Sequence, residues 1–460
     1  MLSVLSCSAL GTVLGFLAGL VPGLHMNNIA AAITAYSSAA IAALGTAFWA
    51  DDQGDSSVLV SCFISSAVVS HIFSESVVST YVGIPDEDVV SVLPAHRLAK
   101  AGLGTLSVRS HAEGALAGVL YGAALVFPVS LLMGSPLFGY GVVSELMPLI
   151  VSFLILLLLA SEGYPSLRFR HPVPNHLSKV LAALTVFLAS GVLGTAALLT
   201  NYYAAPIPDF PWMGDRFVPR SSLLLPMFAG FFGVPSLLLS LGSRPLPGII
   251  FPEAVRLRLV PSLREILTML MGGVMVGWLP GMTSGSAAAA CSPSSGEQLS
   301  REGVSSASRF VWLYSAISAS GAVMSVGALF VIGRARSGFM DAVSLFLGGS
   351  LDQGAWLQLV PLMSTILLSM VFSSVLSYAV LARCLPILSG SSKFLCSKGL
   401  AVSSLMFVIG LSLYLTGARG ALLMGAASSL GILAPLMGIR RLQLMGSLLV
   451  PIWILYATMG

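Results

Sequence analysis

Charge is what this sequence has least of. Asp, Glu, Lys and Arg make up 9% of its 460 residues, against about a quarter in soluble domains. With 56% hydrophobic residues and a mean hydropathy of +0.94, that deficit excludes a soluble globular domain. A net charge of +4 is too small to be a nucleic-acid footprint. Cysteine is also scarce. Cys7, Cys62, Cys291, Cys384 and Cys396 show no CxxC or zinc-like spacing, which argues against a disulfide framework or a metal centre. Only four lysines occur, at positions 100, 179, 393 and 398, all in loops or at their edges, and no HExxH or GxSxG appears. Both absences argue against an intramembrane enzyme. The first apolar run has no basic segment before it, so it is not expected to be a cleaved leader.

What the sequence has is long apolar runs of about 20 residues, the length that crosses a bilayer. The expected fold is an all-α polytopic membrane protein with roughly 10–12 crossings, multi-pass in the plasma membrane of a prokaryote. One stretch organises it: Gly15-Phe-Leu-Ala-Gly19-Leu-Val-Pro22-Gly23-Leu-His25-Met-Asn27-Asn28. An apolar helix runs into a Pro-Gly pair, polar side chains follow, and a second apolar run begins. Pro lacks the donor a helix needs and Gly tolerates the left-handed turn that ends one. The arrangement returns as Gly273-Val-Met-Val-Gly277-Trp-Leu-Pro280-Gly281-Met-Thr283-Ser284-Gly285-Ser286, offset by 273 − 15 = 258 residues. Broken helices at matching places in two halves predict a transporter site at a repeat interface. The expected division is residues 1–242, a cytoplasmic linker 243–264, and residues 265–460.

At each break the unpaired peptide groups must be buried in protein or line a wet cavity. A half-helix N-terminus attracts an anion, and free carbonyls attract a cation. The expected substrate-binding residues are therefore Pro22, Gly23, His25, Asn27 and Asn28 with Pro280, Gly281, Thr283, Ser284 and Ser286. The alternative is a kink whose polar groups only satisfy the freed backbone. His71 and Glu75 are four apart, on one face of a helix, within a Ser-rich apolar run. An acid there suggests an ion or proton pathway, or else an interfacial ion pair. Glu145 reads as interfacial, Gly83-Ile-Pro85 as a helix stop, and Gly230-Phe-Phe-Gly233-Val-Pro235 as a bend, gate-like or merely packed.

Basic loops around Arg97, Arg168 and Arg244 are expected inside, which puts the N-terminus outside and the two breaks in inverted orientation. Arg334 and Arg336 then fall outside, against the trend.

These pieces resemble the large permease subunit of the tripartite tricarboxylate transporters, the TctA-like family, over nearly the whole chain. The likeness rests on the two Gly…Gly…Pro-Gly stretches and Ile84-Pro85. It rests also on Leu225-Pro226…Gly230-Phe-Phe-Gly233-Val-Pro235-Ser236 and Gly438-Ile-Arg440…Leu444-Met445-Gly446. His25-Met-Asn27-Asn28 and Asp86-Glu87-Asp88 depart from many bacterial members, and the His-containing form resembles an archaeal branch. The resemblance implies uptake of a small organic anion such as a di- or tricarboxylate, coupled to Na+ or H+, with no other cofactor. It implies a small membrane subunit and an extracytoplasmic binding protein as partners. A second copy of the chain is a candidate partner too. The alternative function is a carrier or flippase for a lipid-linked phosphate, since helix N-termini bind phosphate as readily.

Overall fold

The computed structural model describes residues 1–48, 53–82, 89–160, 162, 176–203, 223–241, 261–291, 301–351, 356–390 and 397–459. The first half contains α1 (Leu2–Gly19), α2 (Met26–Ala35), α3 (Ser37–Ala47), α4 (Gln53–Tyr81), α5 (Val89–Lys100) and α6 (Gly104–Met133). It continues with α7 (Gly139–Glu145), α8 (Met147–Ala160), α9 (His176–Tyr203), α10 (Leu224–Phe228) and α11 (Val234–Leu241). The second half contains α12 (Leu263–Trp278), α13 (Ser284–Cys291), α14 (Arg301–Ile332) and α15 (Gly338–Leu351). It ends with α16 (Val360–Gly390), α17 (Lys398–Leu436) and α18 (Gly446–Met459).

Among the described residues nine helices are long and apolar enough to span a membrane, or ten if the bent pair α7–α8 is one span. Two sequence expectations change. The basic segment after residue 88 is no loop: Arg97 and Lys100 close α5, and Arg109 and His111 lie inside α6. Residues 224–241 form one span-length helix with a π-helical turn, Ala229–Gly233, in its middle. Pro235 cannot donate to the preceding turn, which favours such a bulge. The acidic residues Asp51 and Asp52, the Gly83-Ile-Pro85 stop with Asp86 to Asp88, and most of the linker lie outside the described residues, as do the loops carrying Arg168 and Trp212.

Glycine seams set the packing. Gly11, Gly15 and Gly19 repeat every four residues along one face of α1, and they meet Phe63, Ala67 and His71 of α4. A Cβ at Gly15 would overlap the carbonyl oxygen of Ala67, so only glycine lets the two backbones approach this closely. Both series rise together, so α1 and α4 run parallel. The chain must therefore double back between them, and α2 and α3 are that return. Gly273 and Gly277 of α12 meet Ser320 and Met324 of α14 in the same parallel sense.

Helix α6 relates the two halves. Its Gly114, Gly118 and Gly122 meet Trp312, Ala316 and Ser320, so α6 runs parallel to α14. Against α4 the order reverses: Gly104 meets Tyr81, Thr80 bonds Ser107, and His111 bonds the carbonyl of Ile72. Hence α4 and α14 are antiparallel, and α1 and α12 run in from opposite ends of the bundle. Contacts also recur with the halves exchanged. Helix α16 packs on α4 as α6 packs on α14, and α15 packs on α2 and α4 as α5 packs on α13 and α14. The two central helices are the most enclosed spans, with 83% of the α4 window and 78% of the α14 window buried. Buried serines on α4, among them Ser61, Ser66, Ser70 and Ser74, are small enough to admit neighbours on all sides.

Gly15→Ala should lower the thermal stability of the detergent-solubilised protein by about 1–3 kcal/mol through overpacking against α4. Gly410→Ala, with nothing within 4 Å of its Cβ position, should leave the unfolding midpoint unchanged. Equal midpoints for both variants would refute the close seam.

Candidate functional site

Each Pro-Gly pair makes an elbow of the same design. Helix α1 stops at Gly19, the buried Pro22 supplies no donor, and Gly23 turns the chain at φ 78°. Helix α12 stops at Trp278, Pro280 is buried, and Gly281 has φ 73°. An L side chain is strained at such angles, so glycine is required at both points. Gly23 rests on Gly233 and Leu237 at the π-helical turn, and Gly281 rests on Leu449 and Ile452 of α18.

The polar residues after each elbow are first of all helix caps. His25 is the N-cap of α2, and its Nδ1 accepts the Asn27 backbone N–H at 3.0 Å. Thr283 Oγ1 accepts the Ser286 N–H at 3.2 Å, and Ser286 Oγ accepts the Thr283 N–H at 3.0 Å. This reciprocal pair closes two of the first-turn donors of α13. Ser284 opens that helix. Asn28 lies in the first turn of α2, and its side chain is outside the described residues.

The first elbow carries a second device. Buried His71 of α4 bonds the Leu24 carbonyl through Nε2 at 2.9 Å and meets Glu75 Oε2 through Nδ1 at 3.2 Å. A carbonyl only accepts, so Nε2 carries a proton. Nδ1 and the carboxyl stand close enough to share a further proton between them. The His25 ring stands edge-on to His71, with centroids 5.8 Å apart. His25, Asn27, His71 and Glu75 therefore form one neighbourhood. The second elbow has no counterpart: Met324 faces Gly277 where His71 faces Gly19, and Ala328 lies one turn further on.

The two elbows lie at different levels. His71 sits at the level of His111 on α6, while Met324 sits between Gly122 and Val126. That is 122 − 111 = 11 to 126 − 111 = 15 residues, roughly 16–22 Å at 1.5 Å per residue. Thr283 bonds Ser286 and His25 bonds Asn27, each within its own elbow.

The segment between α14 and α15 bridges this gap. Gly338, the first residue of α15, packs against the Asn27 side chain. Two residues earlier, Arg336 donates to the Tyr140 hydroxyl and stands over its ring, 5.6 Å from the centroid. Tyr140 in turn lies 6.5 Å from the ring of Trp278, the last residue before the second elbow. Nothing in the sequence set Arg336 and Tyr140 apart, since Arg334-Ala-Arg336 reads there as a short charged join between spans. A buried cation, Arg441, donates to Ser236 Oγ beside the π-helical turn. Among the described residues no three His, Cys, Asp or Glu side chains converge as metal ligands.

Comparison with known proteins fits this geometry. A family model described as the tripartite tricarboxylate transporter TctA family matches residues 5–446. An uncharacterised protein of Methanocaldococcus jannaschii is 25% identical over 232 residues, covering 50% of this chain and 46% of that protein. The chain thus spans about half the length of this curated relative. No solved structure matches it.

Replacing His71 with Leu removes the donor that holds the Leu24 carbonyl, at a cost of about 1–3 kcal/mol. Hydrogen exchange of the amides in residues 20–28 should accelerate about tenfold or more. Met324→Leu, at the matching place, should leave exchange in residues 278–286 unchanged.

Proposed function

The chain belongs to the tripartite tricarboxylate transporter TctA family, and from that premise we propose that it carries a small organic anion, a di- or tricarboxylate, into the cell with protons. Membership makes it a multi-pass plasma-membrane permease component, and the tripartite organisation implies a small membrane subunit and a binding protein beside it. The reading that follows concerns substrate, ion and mechanism.

The observation that carries proton coupling is the bond of His71 to both the elbow and an acid. With the shared proton in place, His71 donates through Nε2 to Leu24 and meets Glu75 through Nδ1 without conflict. Loss of that proton leaves one N–H for two acceptors, a carbonyl and a carboxylate. The charge-assisted bond is the stronger, so the ring proton moves to the Glu75 side and the Leu24 carbonyl loses its donor. Protonation therefore clamps the first elbow, and deprotonation releases it. The anion sits against the donor-rich first turn of α2, at Asn27, where the helix dipole favours negative charge. The second elbow, entered from the other end of the bundle, forms the opposite station of the path between them. Its caps are neutral hydroxyls with no titratable side chain among them, so coupling resides in the first half.

Labelled citrate and succinate uptake into proteoliposomes tests this. An inward proton gradient should accelerate uptake severalfold in the native protein and leave Glu75→Gln unstimulated, with slow residual transport. Stimulation by a Na+ gradient alone would move the coupling elsewhere. Flat uptake across a panel of organic acids would end the carboxylate reading and favour a lipid-linked phosphate.

A further inference from the structure

We infer that Arg336 grips a carboxylate of the transported solute at the junction between the two elbows; this deepens, and rests on, the transport reading above. The first argument is charge. Arg336 makes no ion pair among the described residues, and the hydrogen-bond partners of its guanidinium are the tyrosine hydroxyls of Tyr140 and, beside it, Tyr456. Asp341, one turn into α15, does not pair with it. A guanidinium has five N–H groups and cannot be deprotonated in a protein. Partly buried between two spans without a carboxylate, it carries a desolvation cost, and ionisable residues within membrane proteins mark substrate or ion pathways.

The second argument is donor surplus. Arg336 Nε and the neighbouring Ser337 Oγ are both shut off from solvent without a hydrogen-bond partner. Unpaired buried polar groups are rare and cost about 1–3 kcal/mol each. Peptide donors lie beside them. Gly338 opens the 14-residue helix α15, and its first turn presents peptide N–H groups. The Asn27 side chain, in the first turn of α2, packs against Gly338. Two helix N-termini, an arginine and a hydroxyl thus meet at one point. No carboxylate pairs with the guanidinium among the described residues, and a planar carboxylate matches its fork.

The third argument is position. Through Gly338 the segment touches the first elbow, and through Tyr140 and Trp278 it reaches the second. Tyr140 OH also lies 3.4 Å from Tyr456 OH on α18, the helix that supports Gly281. A solute moving between the two levels passes this segment.

The test is half-saturation for succinate and for its neutral diamide as competitor, in proteoliposomes holding the full chain. Arg336→Gln should raise the succinate value about tenfold or more, the scale of removing a buried charge partner, and leave competition by the diamide unchanged. Arg336→Lys keeps the charge but loses the planar fork and should fall between the two. It also preserves the test should the Gln variant fail to fold. Ser337→Ala should raise the value severalfold, and exposed Arg383→Gln should not move it. Equal losses for succinate and diamide would make Arg336 a structural brace and overturn the inference. An unchanged Arg336→Gln in a protein that does carry succinate would overturn it alone. A native protein that carries no organic acid removes the transport reading and this inference together.

Discussion

A peptide carbonyl at Leu24, freed by a proline and a left-handed glycine and answered by an imidazole from another helix, is the interaction on which this structure turns. Inside a bilayer no water satisfies a broken helix, so each break needs partners built into the fold. The second break solves the problem locally, with Thr283 and Ser286 capping each other's backbone. The first break does so at a distance, with a titratable donor from α4. The same requirement is thus met by hydroxyl caps at one elbow and by an imidazole from a neighbouring helix at the other.

Close backbone packing makes that distant partnership possible. The seam of Gly11, Gly15 and Gly19 brings α1 against α4 with no side chain between them. The third glycine stops beside His71, so the imidazole reaches past it to the loop beyond. The matching seam of α12 ends at Met324, whose thioether can fill space but cannot donate to a carbonyl. The two elbows thus share a backbone design and differ in the side chains that face them.

The halves are also joined where neither is helical. The short segment 333–337 starts at Gly333, with φ 63°, and leads Arg336 toward Tyr140 before α15 begins on Asn27. The first elbow, this segment and the second elbow form a relay of polar groups through an otherwise apolar bundle. Arg441, tied to Ser236 beside the π-helical turn that supports Gly23, puts a second cation close to the relay.

The membrane class, the two breaks and the family likeness follow from properties that need no partner. Hydropathy is a sum over neighbours in the chain, and a Pro-Gly pair interrupts a helix whatever surrounds it. The pairing of His71 with Glu75 was legible for the same reason, since four residues make one turn of a continuous helix. The residue at the other end of that imidazole was not, because Leu24 is 47 positions away and offers only a backbone atom. Nor could spacing show that the elbows stand at different levels, which depends on the register of α6 against both halves. Arg336 was hidden for a related reason. It belongs to what reads as a short charged join between spans until Gly338 is found against Asn27 and Tyr140 under the guanidinium. Local backbone chemistry determined where this chain breaks, and tertiary packing decided which atoms answer the break.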